Sequence, residues 1–217
     1  MNKKRMAEVI LILKTIYPSA HCELLFSNPL QLLVATILSA QCTDVRVNLV
    51  TPALFQKYPT AHALASASPP EVEALIRSAG FYRTKAKNII ACCRQLVEKH
   101  EGSVPSTMAG LIALSGVGRK TANVVLGNAF GLNMGVVVDT HVLRLSIRLG
   151  FTRLSDPVKV EQKLIHLVPR DDWTLFSHLL IWHGRRRCKA LKPDCLHYEL
   201  AQLCPSFHRL KQKPPTA

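Results

Sequence analysis

A lysine placed just after a Gly-x-Gly turn is the group in this chain best placed to do covalent chemistry. Leu114-Ser115-Gly116-Val117-Gly118-Arg119-Lys120-Thr121-Ala122 joins two apolar helical patterns, Met108–Ala113 before it and Ala122–Ala129 after it. Ser106, following Pro105, is expected to cap the first of these helices. Glycine at 116 and 118 permits positive φ and lets backbone N–H groups meet a ligand with no Cβ in the way. N–H groups at a helix start form an anion site, Arg119 adds charge beside it, and a nucleic-acid phosphate is the natural guest. Most helix–turn–helix hairpins bind nothing, so the glycines alone decide little. Lys120 decides more. It sits at the positive end of a helix dipole, where an ammonium is disfavoured. With an apolar helix behind it, that field favours the neutral amine, which is the nucleophilic form.

Two further sets of residues carry chemistry. Asp139 follows Val136-Val137-Val138, a β-branched run too short to found a sheet, and opens the helical pattern Val142, Leu143, Leu145, Ile147, Leu149 closed by Gly150. Helix capping alone accounts for an aspartate there. Near the other end, His183-Gly184-Arg185-Arg186-Arg187 precedes Cys188, Cys195 and Cys204, spaced Cys-x6-Cys-x8-Cys. Three clustered thiols in a reduced protein favour a soft metal, but the close Cys-x2-Cys pairs of structural zinc are missing. His197 or Tyr198 would have to supply a fourth ligand. Cys22, Cys42, Cys92 and Cys93 read as small buried hydrophobes. Gly80-Phe81-Tyr82-Arg83 puts two aromatics in a turn, where they either fold back on the core or form a wedge for a base stack.

The elements that must hold these groups are helices. The chain has 217 residues and a formal charge of +14, from 28 Lys+Arg against 14 Asp+Glu, which favours a polyanionic partner. Its longest apolar stretch, Leu30–Ala40, is interrupted by Gln31 and Thr36 and is far short of a membrane span. The basic start resembles a signal peptide, but the Val9–Leu13 run is too short and Lys14 ends it, so a cytoplasmic protein with reduced cysteines is expected. Helical spacing predicts helices over 6–17 and 29–40, the second buried all round. Asp44 is then expected to cap a helix over 45–54. Others are predicted at about 61–66, 69–78, 84–99, 157–167 and 171–182. Only residues 211–217 read as a loose tail, and the fold class is all-α.

Taken together, these blocks resemble the endonuclease III family of DNA glycosylases with lyase activity. The likeness rests on Leu114–Val125, a helix–hairpin–helix with its lysine in place, on Val137-Val138-Asp139-Thr140-His141-Val142-Leu143-Arg144, and on Leu38-Ser39-Ala40-Gln41-Cys42-Thr43-Asp44. It covers essentially the whole chain, and the spacing between blocks agrees. The resemblance implies the helix–hairpin–helix DNA glycosylase fold, two helical domains flanking a DNA-binding cleft. One, a six-helix barrel, would span 22–132; the other would join 1–21 to 133–217. It implies a bifunctional DNA glycosylase and AP lyase of base-excision repair, removing damaged, oxidised pyrimidines through a Lys120 Schiff base and nicking by β-elimination, with Asp139 as the second catalytic residue. DNA contacts would fall to Gln41, Phe81, Gly116, Val117, Gly118, Arg119, His141 and Arg144, with Gln41 and Phe81 filling the hole left by a flipped nucleotide. The implied partner is double-stranded DNA carrying damaged bases or abasic sites, met by a monomer at the nucleoid, without membrane or nucleotide cofactor. The family's iron–sulfur ligands are spaced Cys-x6-Cys-x2-Cys-x5-Cys, and here Cys188, Cys195 and Cys204 take the first, second and fourth places. Tyr198, a poor substitute for a thiolate on a [4Fe–4S] cluster, takes the third. A cluster on three cysteines and a lost cluster both stay open, with zinc a distant third.

Overall fold

The two ends of the chain build one helical unit and the stretch between them builds another, in a computed structural model that describes residues 3–195 and 199–207. The first unit comprises Met1–His21 with Gly135–Ala217, the second Cys22–Met134. All regular structure among the described residues is helical, and no described helix is long and apolar enough to cross a membrane.

Eleven α-helices follow in chain order among the described residues. Helix α1 (Lys3–Ile16) belongs to the first unit. The second unit holds α2 (Pro29–Leu38), α3 (Asp44–Lys57), α4 (Ala61–Ala65), α5 (Pro69–Ile76), α6 (Tyr82–His100), α7 (Met108–Ile112) and α8 (Arg119–Ala129). The first unit resumes with α9 (Thr140–Arg148), α10 (Pro157–Leu167) and α11 (Trp173–Arg186).

Helix α2 is the axis of the second unit. Its start is set by Asn28, whose side chain accepts from Gln31 N at 3.0 Å, and by Pro29 at the first helical position. Every residue from Leu32 to Leu38 is buried, and the helix packs against α3, α6 and α8. The hydroxyl of Thr36, the polar member of that run, donates to the Leu32 carbonyl at 2.7 Å and so is satisfied within its own helix. Each large aliphatic side chain buried here contributes about 1.5–3 kcal/mol of hydrophobic stabilisation. The helix stops two residues sooner than its apolar pattern suggests, with Ser39 as its end cap.

Two cap assignments read from sequence move by one residue. Thr107 rather than Ser106 caps α7, accepting from Gly110 N at 3.2 Å. Thr43 rather than Asp44 caps α3, accepting from Arg46 N at 3.3 Å, while Asp44 takes the first helical position. In both cases the capping threonine has extended backbone, the geometry that aims a side-chain oxygen at the first turn.

In the first unit, one face of α1 (Met6, Val9, Ile10, Leu13) packs with Val142 and Leu145 of α9, Val160 and Leu164 of α10, and Phe176, Leu179 and Leu180 of α11. Val136–Val138 forms no strand; Val137 N instead donates to Ser177 Oγ of α11 at 3.0 Å. Asp171 and Asp172 sit in a 3₁₀ turn over Arg170–Asp172, and α11 runs on to Arg186, four residues past its predicted end. Lys14 at the end of α1 pairs with Asp172 at 2.7 Å.

Candidate functional site

In the second unit, α7 turns sharply into α8. Leu114 N donates to Leu111 O at 3.1 Å and Val117 N to Leu114 O at 3.2 Å. Gly116 has φ +75°, and a Cβ there would lie 2.9 Å from Asn88 Cβ of α6, so both the turn and its support exclude a side chain. Of the two freedoms that glycine permits, Gly118 does not use positive φ: it has φ −96° and ψ 175°, with nothing within 4 Å of a built Cβ. Gly118 supplies room instead. As the N-cap of α8 it places no side chain over the first turn, so the approach to those N–H groups is open to an anion. Val117 is buried and anchors the loop, and Ser115 N is held by Gln95 Oε1 at 2.7 Å. Arg119 and Lys120 are both exposed, and the first turn holds no acid. The apolar helix behind Lys120 therefore does not cover its amine.

Gln41 and Phe81 share an uncommon backbone. Both lie in the left-handed region, at φ 52° and 48°, and both side chains are exposed, Phe81 by 67 %. Such a conformation costs a non-glycine residue on the order of 1 kcal/mol or more, so the surrounding structure must impose it. Phe81 immediately precedes α6 and makes no capping bond with its side chain.

In the first unit, Asp139 caps α9, its Oδ1 accepting from Val142 N at 2.7 Å. Imidazoles gather around this carboxylate. Burial pushes His141 below the usual histidine range, against the opposing field of Asp139 and with that of Arg144. Burial and the field of His21 push His178 down to about 4, again opposed by Asp139. His178 was not among the sequence candidates; a histidine inside the apolar Phe176–Trp182 run was the available signal. Arg144 Nη2 lies 3.2 Å from His141 Nδ1 and donates to the carbonyls of Gly184 (3.1 Å) and Cys188 (3.0 Å). That guanidinium braces α9 against the end of α11. The basic run is partly engaged too. Arg186 lies 3.6 Å over the Trp182 ring, and Arg187 pairs with Asp194 at 2.7 Å.

The cysteine segment belongs to the same unit. Arg148 organises its start, donating to Cys188 Sγ at 3.3 Å and to the carbonyls of Lys189 and Ala190, both at 2.7 Å. Cys204 is buried and its thiol donates to Arg148 O at 3.6 Å. Tyr198 and His197, the expected alternatives for a fourth ligand, lie outside the described residues. Among the described residues no group of three or more His, Cys, Asp or Glu side chains gathers to hold a metal ion. Three thiols, one of them under an arginine, do not fit a four-thiolate [4Fe–4S] cluster. Cys92 and Cys93 are buried as expected, their thiols pushed up to about 12 by burial, whereas Cys22 and Cys42 are only partly covered.

Gln41, Phe81, the Gly116–Gly118 hairpin, Arg119 and Lys120 thus lie in one unit, and Asp139, His141, Arg144 and the three cysteines in the other. The chain as a whole resembles known proteins. A profile of the HhH-GPD superfamily of base excision DNA repair proteins matches residues 34–170. Endonuclease III of Synechocystis sp. is 58% identical over 205 residues, which is 94% of this chain and 94% of that protein. Solved structures of a non-covalent endonuclease III–DNA complex and of a trapped endonuclease III–DNA covalent intermediate are each similar at a TM-score of 0.92 and 43% identity. Each match covers 98% of this chain and 100% of the other.

Proposed function

The chain belongs to the HhH-GPD superfamily of base excision DNA repair proteins and, within it, to the endonuclease III family, and from that premise we propose that Lys120 is its Schiff-base nucleophile and Asp139 the carboxylate that serves it. It is a DNA-binding bifunctional DNA glycosylase and AP lyase that acts on oxidised pyrimidines in base-excision repair. Action as a monomer in the cytoplasm, at the nucleoid, completes the proposal.

The observation that carries the residue assignment is the helix start itself: an exposed lysine in the first turn of α8, behind a glycine cap, with no acid beside it. The backbone N–H groups at that start, with Arg119, hold a phosphate of the damaged strand. Gln41 and Phe81 fill the gap in the stack while the damaged nucleotide is extruded. The Lys120 amine then attacks C1′ with its lone pair, the C1′–N bond to the base breaks, and the base departs with a proton. The sugar ring opens to a Schiff base on Lys120. Loss of a proton from C2′ expels the 3′ phosphate by breaking the C3′–O bond, and water finally hydrolyses the Schiff base and frees the amine. Asp139 accepts the proton that the amine must lose and steadies positive charge developing on the sugar. Its bond to Val142 N fixes one carboxylate oxygen and leaves the other to do this work. His141 contributes as a neutral hydrogen-bonding group, in keeping with its lowered pKa.

Borohydride reduction on duplex DNA containing an oxidised pyrimidine tests the reading. A covalent complex should form, and peptide mapping should place the DNA remnant on Lys120. A cross-link on any other lysine would reassign the nucleophile.

A further inference from the structure

Phe81 stands exposed in a backbone conformation that its side chain does not favour, so something must hold it there. The turn is entered from a 3₁₀ segment, Arg77–Ala79, through Gly80 at φ 70°, and it leaves directly into α6. Lys85, in the first turns of α6, grips this turn on both sides. Its main-chain N–H donates to the Phe81 carbonyl at 3.0 Å, and its side-chain amine folds back to donate to the Ala79 carbonyl at 2.9 Å. The two accepting carbonyls flank Gly80 and Phe81, so one residue closes a clamp around the turn.

Lysine is a costly choice for that place. Lys85 is only 4 % exposed, on an otherwise apolar face of α6 with Ala86, Ile89 and Ile90. Burial pushes its amine below the usual lysine range, and the field of Cys42, the residue after Gln41, acts in the opposite sense. A methionine of similar length would fill the space without desolvating an amine. What methionine cannot do is donate to the Ala79 carbonyl. A rule of burial broken beside a strained, exposed aromatic suggests a functional reason.

We propose that Lys85 is a positioning residue for lesion recognition, clamping the Gly80-Phe81 turn so that the Phe81 ring is presented outward for insertion into the duplex. The inference rests on the reading of Phe81 as the side chain that fills the gap in the stack, and it adds the residue that holds that side chain ready.

The test compares the full-length protein with Lys85→Met, Lys85→Arg, Phe81→Ala and the double variant Lys85→Met/Phe81→Ala. Affinity is measured for a duplex carrying a tetrahydrofuran abasic analogue and for the same duplex undamaged, with 2-aminopurine opposite the analogue reporting unstacking. Phe81→Ala and Lys85→Met should each lower the preference for the abasic analogue over undamaged duplex by about tenfold, with most of the loss on the analogue. The double variant should lose no more than either alone, because both changes act through one ring. Lys85→Arg, which keeps a donor, should stay within about threefold of the parent. If Lys85→Met melts below the assay temperature, Lys85→Gln replaces it, since its amide is too short to reach the Ala79 carbonyl. A Lys85 variant with normal lesion preference and normal 2-aminopurine signal, beside a defective Phe81→Ala, would overturn the clamp alone. Additive losses in the double variant would do the same. A silent Phe81→Ala would overturn the wedge reading and the clamp with it.

Discussion

Helix α8 starts at Gly118 with no side chain over its first turn and two basic residues in the open, whereas α9 starts at Asp139 with its own carboxylate closing the turn at 2.7 Å. Both are helix N-termini and carry the same partial positive charge, yet they are finished in opposite ways. The first is left open, as suits an anion that comes and goes and an amine that must reach a substrate. The second is closed, as suits a carboxylate whose direction must not change, and its neighbours are partly buried imidazoles rather than exposed cations. One kind of local geometry thus serves as a docking point or as a mount, and the residue at the cap decides which.

The sharpest way to break this contrast is at the amine. Lys120→Gln should abolish borohydride trapping and lower strand nicking on the order of 10⁴-fold or more, while affinity for undamaged duplex changes little. Normal nicking by that variant would remove Lys120 from the chemistry. At the other helix start, Asp139→Asn keeps a good N-cap, so the melting temperature should move by the equivalent of less than about 1 kcal/mol. Single-turnover base excision should nevertheless fall on the order of 10²–10³-fold. Small, equal losses in stability and rate would make Asp139 a cap and nothing more.

The imidazoles on the α9 side predict an acid weakness. His183 is fully buried, has its Nδ1 2.9 Å from the Tyr17 hydroxyl, and is pushed down to about 4 by burial and by Arg187. Unfolded, it titrates near 6.5, so between about 6.5 and 4 the unfolded chain binds the extra proton. Its contribution is therefore complete above that window and is lost as pH falls through it. For His183 the loss at pH 4.5 is about 2 kcal/mol, and His178 acts in the same direction. Thermal melts from pH 7.5 to 4.5 should show the decline. His183→Asn, which can still hydrogen-bond Tyr17, should roughly halve its slope. A melting temperature flat over that range would show that these histidines are protonated in the folded protein.

The two hairpin glycines give the smallest effects and separate space from conformation. Gly116→Ala should destabilise by about 1–3 kcal/mol, since it meets both a positive φ and Asn88. Gly118→Ala should cost less than about 1 kcal/mol and, if a phosphate docks as proposed, should instead weaken duplex binding, because its new Cβ enters the open space at the start of α8. Equal stability losses at both positions would mean that Gly118 is needed for folding rather than for approach.

Much of this was legible in the residues. Asp139 as a cap, Pro157 as a helix start and α2 as a buried axis follow from local patterns that the structure repeats. Cap positions slipped where two capping residues stand side by side, Ser106-Thr107 and Thr43-Asp44, because the choice between them rests on a backbone angle that composition does not carry. The angle at Gly118 was hidden for the same reason. Arg144 reads from sequence as a DNA contact, and what the sequence does not reveal is that its guanidinium donates to two carbonyls about forty residues further along the chain. His178 gained its interest from partners that only the tertiary fold supplies, and Lys85 from a local bond to the Ala79 carbonyl that depends on backbone angles of the turn between them.

The path of the chain has a consequence for biosynthesis. Residues 22–134 are contiguous, so that unit has all of its helices as soon as α8 leaves the ribosome. The other unit is split between the ends, and α1, near one end, packs against α11, more than 150 residues further along the chain. Met6, Val9, Ile10 and Leu13 therefore wait, with their apolar face uncovered, until α9 is made from residue 140 onward, and the face gains its α11 partners only after about 180 residues have been translated. The nascent chain carries an exposed hydrophobic stripe through most of its synthesis, a natural grip for a holding chaperone. Folding order is set in this way: the unit with the lysine can close first, and the unit with the aspartate is completed only at the end.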